Sequence, residues 1–187
     1  MHRAATLLFA LAFVPACASV KGSNPDEQRA HIQKLEKETL ERLFKEHPEA
    51  KAMLEGAPGY AVFDTSITKI PVVGAGGGYG VVVDADPVAR TYMKVREFQL
   101  GAGWGARRFQ VVVIFHDAKV RDDLKDGMWN FGGGAEAAAK VGETGAAGGG
   151  GTGGGNEQFT KYVLTEAGVS LTATVNAKRI SQIGGLN

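Results

Sequence analysis

The first periodic segment of the chain has helical spacing. A stripe of Ile32, Leu35, Thr39 and Leu43, widened by Leu40 and Phe44, recurs at this spacing after Asn24, and mixed charges fill the remaining surface. This pattern predicts an amphipathic helix from Pro25 to about Lys45, capped by Asn24. We expect the stripe to pack on the domain, because its charges are nearly balanced. The alternative is a helix that lies on a membrane or on a partner.

Beyond this helix the spacing of apolar residues changes from helical to alternating. A short helix over Glu49–Leu54 precedes the change, and a second short helix is predicted over Lys119–Asp126. Period-two alternation predicts six strands. They cover Tyr60–Phe63, Tyr79–Val83, Arg90–Val95, Gln110–Phe115, Phe159–Leu164 and Val169–Val175.

These elements predict an α+β fold: an N-terminal helical segment packed on a coiled, mainly antiparallel, glycine-rich sheet or barrel. Strand Val169–Val175 alternates apolar and polar residues, which is typical of a sheet with one buried face. Val111–Phe115 is apolar throughout, so we expect cover on both of its faces.

Glycine recurs at every second position in two strand-like stretches, Gly74 to Gly80 and Gly101 to Gly105. Period two places each set on one face, where missing side chains permit close packing and strong coiling. Direct contact with a ligand is the less favoured interpretation. Gly101–Ala106 formally fits a dinucleotide-binding pattern, but the required strand-to-helix context is missing. Farther along, Ala135–Lys140 has good helix propensity, and a mobile glycine-rich loop is expected around 142–155.

The amino terminus has the form of an export signal. Arg3 precedes an apolar run that is too short to span a bilayer, so residues 1–16 are predicted to be a signal peptide. Cys17 then stands where bacterial lipoproteins are acylated, and residues 17–24 would form a lipidated tether to a domain at 25–187. The alternative is simple cleavage after Ala18. Acylation predicts an outer-membrane lipoprotein that faces the periplasm, and simple cleavage predicts a soluble periplasmic or secreted protein.

Composition argues against polyanion binding. The formal net charge is +1 and falls to 0 once the signal, with Arg3, is removed. Aromatic residues are not interleaved with dense basic runs, so no nucleic-acid partner is expected.

Several motifs in order resemble the SYLF domain family and cover most of the mature chain. They are Gly59–Phe63, Gly74–Val83, Gly101–Gly105, Val111–His116, Gly127–Phe131, Ala135–Lys140 and Gly168–Leu171. The resemblance implies lipid binding. Eukaryotic members bind phosphoinositides and some bind actin filaments, whereas bacterial members resemble exported lipoproteins. Actin binding is not expected of a periplasmic protein.

Groups suited to catalysis are few. His116 beside Asp117 is the one acid-base pair in the sequence, and a strand-end histidine that simply contacts its neighbouring carboxylate is the favoured interpretation. We predict no catalytic residues, no metal site and no cofactor. Arg107, Arg108, Lys178 and Arg179 are the candidates for an anionic lipid headgroup, since arginine forks match phosphate. Alternation would place Arg107 and Arg108 on opposite faces of a strand. Trp104 and Trp129 are expected in the core rather than at a membrane interface.

The predicted function is therefore non-catalytic lipid binding in the bacterial envelope, with an anionic phospholipid or a related lipid as the expected partner. The alternative is an envelope structural or protein-interaction lipoprotein whose domain binds a protein.

Overall fold

The fold consists of N-terminal helices followed by an antiparallel sheet, which confirms the α+β prediction. A computed structural model describes residues 19–86, 88–100, 103–127, 135–140 and 158–187. Its helices are α1 Pro25–Glu46, α2 Glu49–Glu55 and α3 Ala118–Lys125. Its strands are β1 Gly59–Lys69, β2 Val73–Asp84, β3 Ala89–Leu100, β4 Gly103–Phe115, β5 Ala135–Lys140 and β6 Phe159–Gln182. The predicted signal, Cys17 and the loop at 142–155 lie outside the described residues.

The six strands form one sheet in the order β3-β2-β1-β4-β6-β5, and every pairing is antiparallel. β6 pairs with β4 through its first half, and its later residues also pair with β3, from Leu100 opposite Val175 to Met93 opposite Gln182. The sheet is therefore strongly coiled and has a concave inner face and a convex outer face. Of the two forms predicted, the structure has the coiled sheet, with β5 added beside β6.

Helix α1 begins as its sequence predicts and packs on the outer face. The Asn24 side chain accepts a hydrogen bond from the Glu27 backbone N–H at 2.9 Å, which satisfies one of the free N–H groups of the first turn. Ile32 and Leu35 pack against Tyr79 and Val81 of β2. The expectation that the apolar stripe packs on the domain is confirmed, so this stripe is not free to meet a membrane.

Strand β4 is covered on both faces, as its apolar sequence predicts. Val112 and Ile114 pack on the helical side with Leu43 and Ala50. Val113 and Phe115 face inward, where they join residues of β1, β2, β3, β6 and α3, among them Phe63, Met93, Leu124 and Ile180. On its inner side, β4 is therefore covered by the other strands of the coiled sheet and by α3.

The glycines of β2 let this strand lie unusually close to β1. A Cβ at Gly78 would stand 2.9 Å from Thr65 Cα and from the Asp64 carbonyl carbon, and nearer still to the Asp64 carbonyl oxygen. Such separations are well inside van der Waals contact, so only glycine fits. Close packing of the two strands therefore accounts for the glycine at this position.

Three sequence predictions need correction. Ala135–Lys140 is strand β5, not helix, because pairing with β6 outweighs the helix propensity of alanine. The strands predicted at Phe159–Leu164 and Val169–Val175 are one continuous strand, with a register shift opposite Arg108 and Phe109. β1 to β4 also extend several residues farther than alternation predicts.

Candidate functional site

One end of the sheet presents a cluster of exposed large apolar side chains. The chain turns tightly from β1 to β2 at Ile70 and Val73, whose backbones exchange hydrogen bonds of 3.0 and 3.1 Å. The Gly103 backbone N–H donates to the Pro71 carbonyl at 3.1 Å, which brings the start of β4 to the same turn. We call the cluster the apolar end, and it comprises Ile70 (53% exposed), Val72 (62%), Phe98 (48%), Leu100 (51%) and Trp104 (71%).

The apolar end is large for a surface patch. Taken at their exposed fractions, these five side chains present roughly 500–600 Å², which is at the upper limit for patches on monomeric proteins. Patches of this size that are bordered by polar residues mark contact surfaces. The apolar end is therefore the candidate contact surface of the domain.

Three arginines lie in one row across the outer face beside the apolar end. Arg108 on β4 is opposite Ser66, Ser66 is opposite Gly77, and Gly77 is opposite Arg96 on β3. Arg96 is in turn directly opposite Arg179 on β6. All three arginines are exposed. We call Arg96, Arg108 and Arg179 the arginine row.

The arginine row and the apolar end have a fixed spacing. Arg96 precedes Phe98 by two residues on the same face, a distance of about 7 Å along the strand. Arg96 and Arg179 are like charges in directly opposed positions, which is unfavourable unless an anion lies between them. In the described part of the chain neither guanidinium has an acidic ion-pair partner. Such a surface suits an anionic group above an apolar layer.

The four predicted headgroup candidates divide between the two faces. Arg108 and Arg179 belong to the outer arginine row, whereas Arg107 and Lys178 point to the inner face. Arg108 is also an ion-pair partner of Asp64, with Nε 3.0 Å from Oδ1 and a second bond from its other nitrogen. Asp64 is almost fully buried, so this pairing fixes the Arg108 guanidinium in place.

Arg96 is a candidate headgroup residue that the sequence analysis did not single out. Extending the alternation of the predicted strand Arg90–Val95 by one residue would have assigned Arg96 to a face of the sheet. It would not have shown that Arg96 lies in a row with Arg108 and Arg179, because those residues come from strands distant in sequence. The prediction that Trp104 lies in the core is wrong, because its side chain is 71% exposed at the apolar end. Trp129 lies outside the described residues.

His116 does not contact its neighbouring carboxylate. Its Nε2 lies 2.8 Å from the Thr160 hydroxyl, and Asp117 instead accepts from the Lys119 backbone N–H to cap α3. The two therefore do not form an acid-base pair, and the favoured contact between them is also absent. His116 lies at an open groove of about 800 Å³, where Arg121 is ion-paired with Asp84 and Asp122.

A buried carboxylate links α1 to the sheet. Glu36 accepts a hydrogen bond from the Tyr60 hydroxyl at 2.6 Å and pairs with Arg90, with Nε 3.1 Å from Oε2. Burial raises the pKa of Tyr60 above its usual value, and the hydrogen bond to Glu36 raises it further. The hydrogen bond to Glu36 likewise raises the pKa of Arg90. This network holds the helix on the outer face.

Within the described ranges, no three His, Cys, Asp or Glu residues are grouped so that they could hold a metal ion. The same part of the chain has no helix long and apolar enough to cross a membrane.

Comparison with known proteins adds a relative by sequence. No protein-family model matches the chain. The sequence is similar to beta cell expansion factor A of Aeromonas veronii, with 31% identity over 154 residues. The aligned region covers 82% of this chain and 56% of that protein, so the chain spans about half the length of the relative it matches.

Proposed function

We propose that this domain is a non-catalytic lipid-binding module of the bacterial cell envelope that docks on anionic membranes through its apolar end. The observation that supports this proposal is the apolar end beside the arginine row. Ile70, Val72, Phe98, Leu100 and Trp104 would enter the outer hydrocarbon layer, and the arginines would remain at the depth of the phosphates. The resemblance to SYLF domains, which is carried by the sequence motifs, agrees with this assignment.

The magnitudes are adequate for reversible binding. Trp104 exposes roughly 180 Å², so insertion of half of that area would contribute about 2 kcal/mol at 25 cal/mol per Å². Each arginine near an anionic surface contributes about 1 kcal/mol more. Several such side chains acting together would offset the entropy of association.

Export and anchoring belong to the same proposal. They rest on residues 1–18: the predicted signal would direct export and then be removed, and the acylated Cys17 would hold the protein at the periplasmic face of an outer membrane. In that position the tether would keep the domain near a lipid surface, and the domain would add its own contact. A domain that is released after Ala18 would depend on that contact alone.

Vesicle flotation tests the proposal. The chain without its predicted signal, residues 17–187, should carry Cys17→Ser, so that neither the signal nor an acyl chain contributes, and be mixed with vesicles of phosphatidylcholine alone or with added phosphatidylglycerol. We expect binding to the anionic vesicles. Trp104→Ser should weaken it about 30-fold, which corresponds to about 2 kcal/mol. Arg96→Gln combined with Arg179→Gln should weaken it about 30-fold, at about 1 kcal/mol for each charge.

A matched control separates local docking from general charge attraction. Lys34→Gln combined with Lys37→Gln removes the same charge from the exposed face of α1, where both side chains are over 70% exposed. This variant should bind nearly as well as the parent chain. Equal weakening by both double variants, or no binding to any lipid, would refute the proposed docking surface. Absence of lipid binding together with one dominant protein adduct on crosslinking in the envelope would favour the protein-interaction alternative.

A further inference from the structure

The inner face of the sheet changes from apolar to polar toward the apolar end. Its deeper part is filled by residues such as Phe63, Met93 and Val95. Nearer that end, two adjacent rows across the strands carry polar or charged side chains together with glycines and the buried Ile67, which is opposite Arg107. These inner polar residues are Lys69, Glu97, Gln99, Arg107 and Lys178.

The register brings these side chains together over glycine positions. Lys69 on β1 is opposite Gly74 on β2, and Gly74 is opposite Gln99 on β3. A Cβ at Gly74 would lie 3.2 Å from Gln99 Cβ and 3.3 Å from Lys69 Cγ, so both side chains cross the bare glycine. In the next row, Glu97 is opposite Lys178.

Most of these groups are buried, yet their hydrogen bonding is incomplete. Lys69 is 3% exposed, Glu97 4% and Gln99 0%. Gln99 Nε2 donates to Glu97 Oε1 at 2.7 Å, and Lys178 Nζ lies 3.4 Å from Glu97 Oε2. In the described part of the chain, Lys69 Nζ, Glu97 Oε2 and Gln99 Oε1 make no hydrogen bond. A buried ammonium without a partner is among the costliest arrangements in a protein.

The sign of the imbalance identifies the missing partner. The inner polar residues include three cationic side chains and one carboxylate, so the cluster lacks negative charge. Burial lowers the pKa of Lys69, and the nearby positive charge of Arg107 lowers it further. An anion beside Lys69 would act in the opposite direction, because a nearby negative charge stabilises the charged ammonium.

We infer that the inner polar residues form a binding site for an oxyanion, a carboxylate or phosphate group, with Lys69 as its main ligand and Arg107 as a second cation. The site lies on the inner face, whereas the proposed membrane contact lies at the apolar end and on the outer face. The inference goes beyond the proposed function and does not depend on it. The oxyanion can belong to a free ion or to the polar end of an amphiphile.

Calorimetric titration of the full chain with two soluble probes, inorganic phosphate and octanoate, tests this inference. We expect saturable binding of at least one probe at one site per chain. Binding of phosphate alone would identify a phosphate site, and binding of octanoate alone would identify a site for the carboxylate of an amphiphile. Lys69→Met should weaken the binding at least tenfold. Lys94→Met, which removes a lysine from the outer face of β3, should leave it unchanged.

Two further readouts distinguish a ligand site from a folding role. Without a probe, Lys69→Met should raise the melting temperature by about 2–4 °C, because it removes an unpaired buried charge. Glu97→Gln should tighten oxyanion binding, since it removes the one negative charge of the cluster. Absence of binding to both probes would overturn the inference. So would a Lys69→Met variant that melts lower and binds the probe normally.

Discussion

Replacement of Gly78 by alanine is the sharpest test of how the sheet attains its curvature. The new methyl group would stand 2.9 Å from Thr65 Cα and closer still to the Asp64 carbonyl oxygen. Both obstacles are backbone atoms, which cannot swing aside as a side chain can. β2 would have to move away from β1 along a buried stretch. We expect a loss of about 3 kcal/mol, at the upper end for overpacked cores, and a melting temperature lower by about 6–12 °C.

Urea unfolding followed by circular dichroism measures this loss, and Gly56→Ala is the matched control. Gly56 has no atom within 4 Å of its added Cβ and a helical backbone with φ of −95°, so alanine fits there. The control should be neutral or more stable by about 0.5 kcal/mol, because alanine restricts the unfolded chain. A Gly78→Ala loss below about 1 kcal/mol would show that the strands are not held as close as described.

Other perturbations address the cap, the buried carboxylate and the buried lysine, each by chemical or thermal unfolding. Asn24→Ala should cost about 1 kcal/mol, because a helix N–H loses its acceptor. Glu36→Ala should cost about 2 kcal/mol, since the Tyr60 hydroxyl and Arg90 lose their partner. The lowered pKa of Lys69 means that the unfolded chain binds more protons below pH 10.5, so stability should rise with pH through that window. Lys69→Met should abolish this rise, and an unchanged pH profile would contradict the assignment.

Elements whose side chains alternate or recur clearly are the ones the sequence predicts well. α1 follows from its stripe and cap, and the apolar halves of β1 to β4 follow from their alternation. The first halves of β2 and β4 are rich in glycine and carry too few side chains to show a period. The second halves of β1 and β3 place polar residues such as Lys69 and Gln99 on the buried face, which is why these strands appear too short in sequence. Glu166 is the extra residue at the register shift in β6, and it interrupts the alternation that would have joined two predicted strands into one.

The candidate site shows a different limit. Alternation within β4 is enough to send Arg107 and Arg108 to opposite faces. It cannot show that Arg108, Arg96 and Arg179 form a row, because that row passes through the registers of five strands. Nor can alternation show that Trp104 is exposed, because the glycines on both sides of it do not indicate whether its face of the strand is buried. Long-range pairing decides both features.

The double pairing of β6 also determines when this protein can finish folding. β3 keeps an open edge until residues 175–182 have been synthesised and have reached it, and an open edge is a template for aggregation. Folding is therefore completed late, after nearly all of the described chain has left the ribosome. That order would suit the proposed export, in which the polypeptide crosses a membrane before it folds. It would also expose the protein to proteases and chaperones for longer than a fold built from local hairpins.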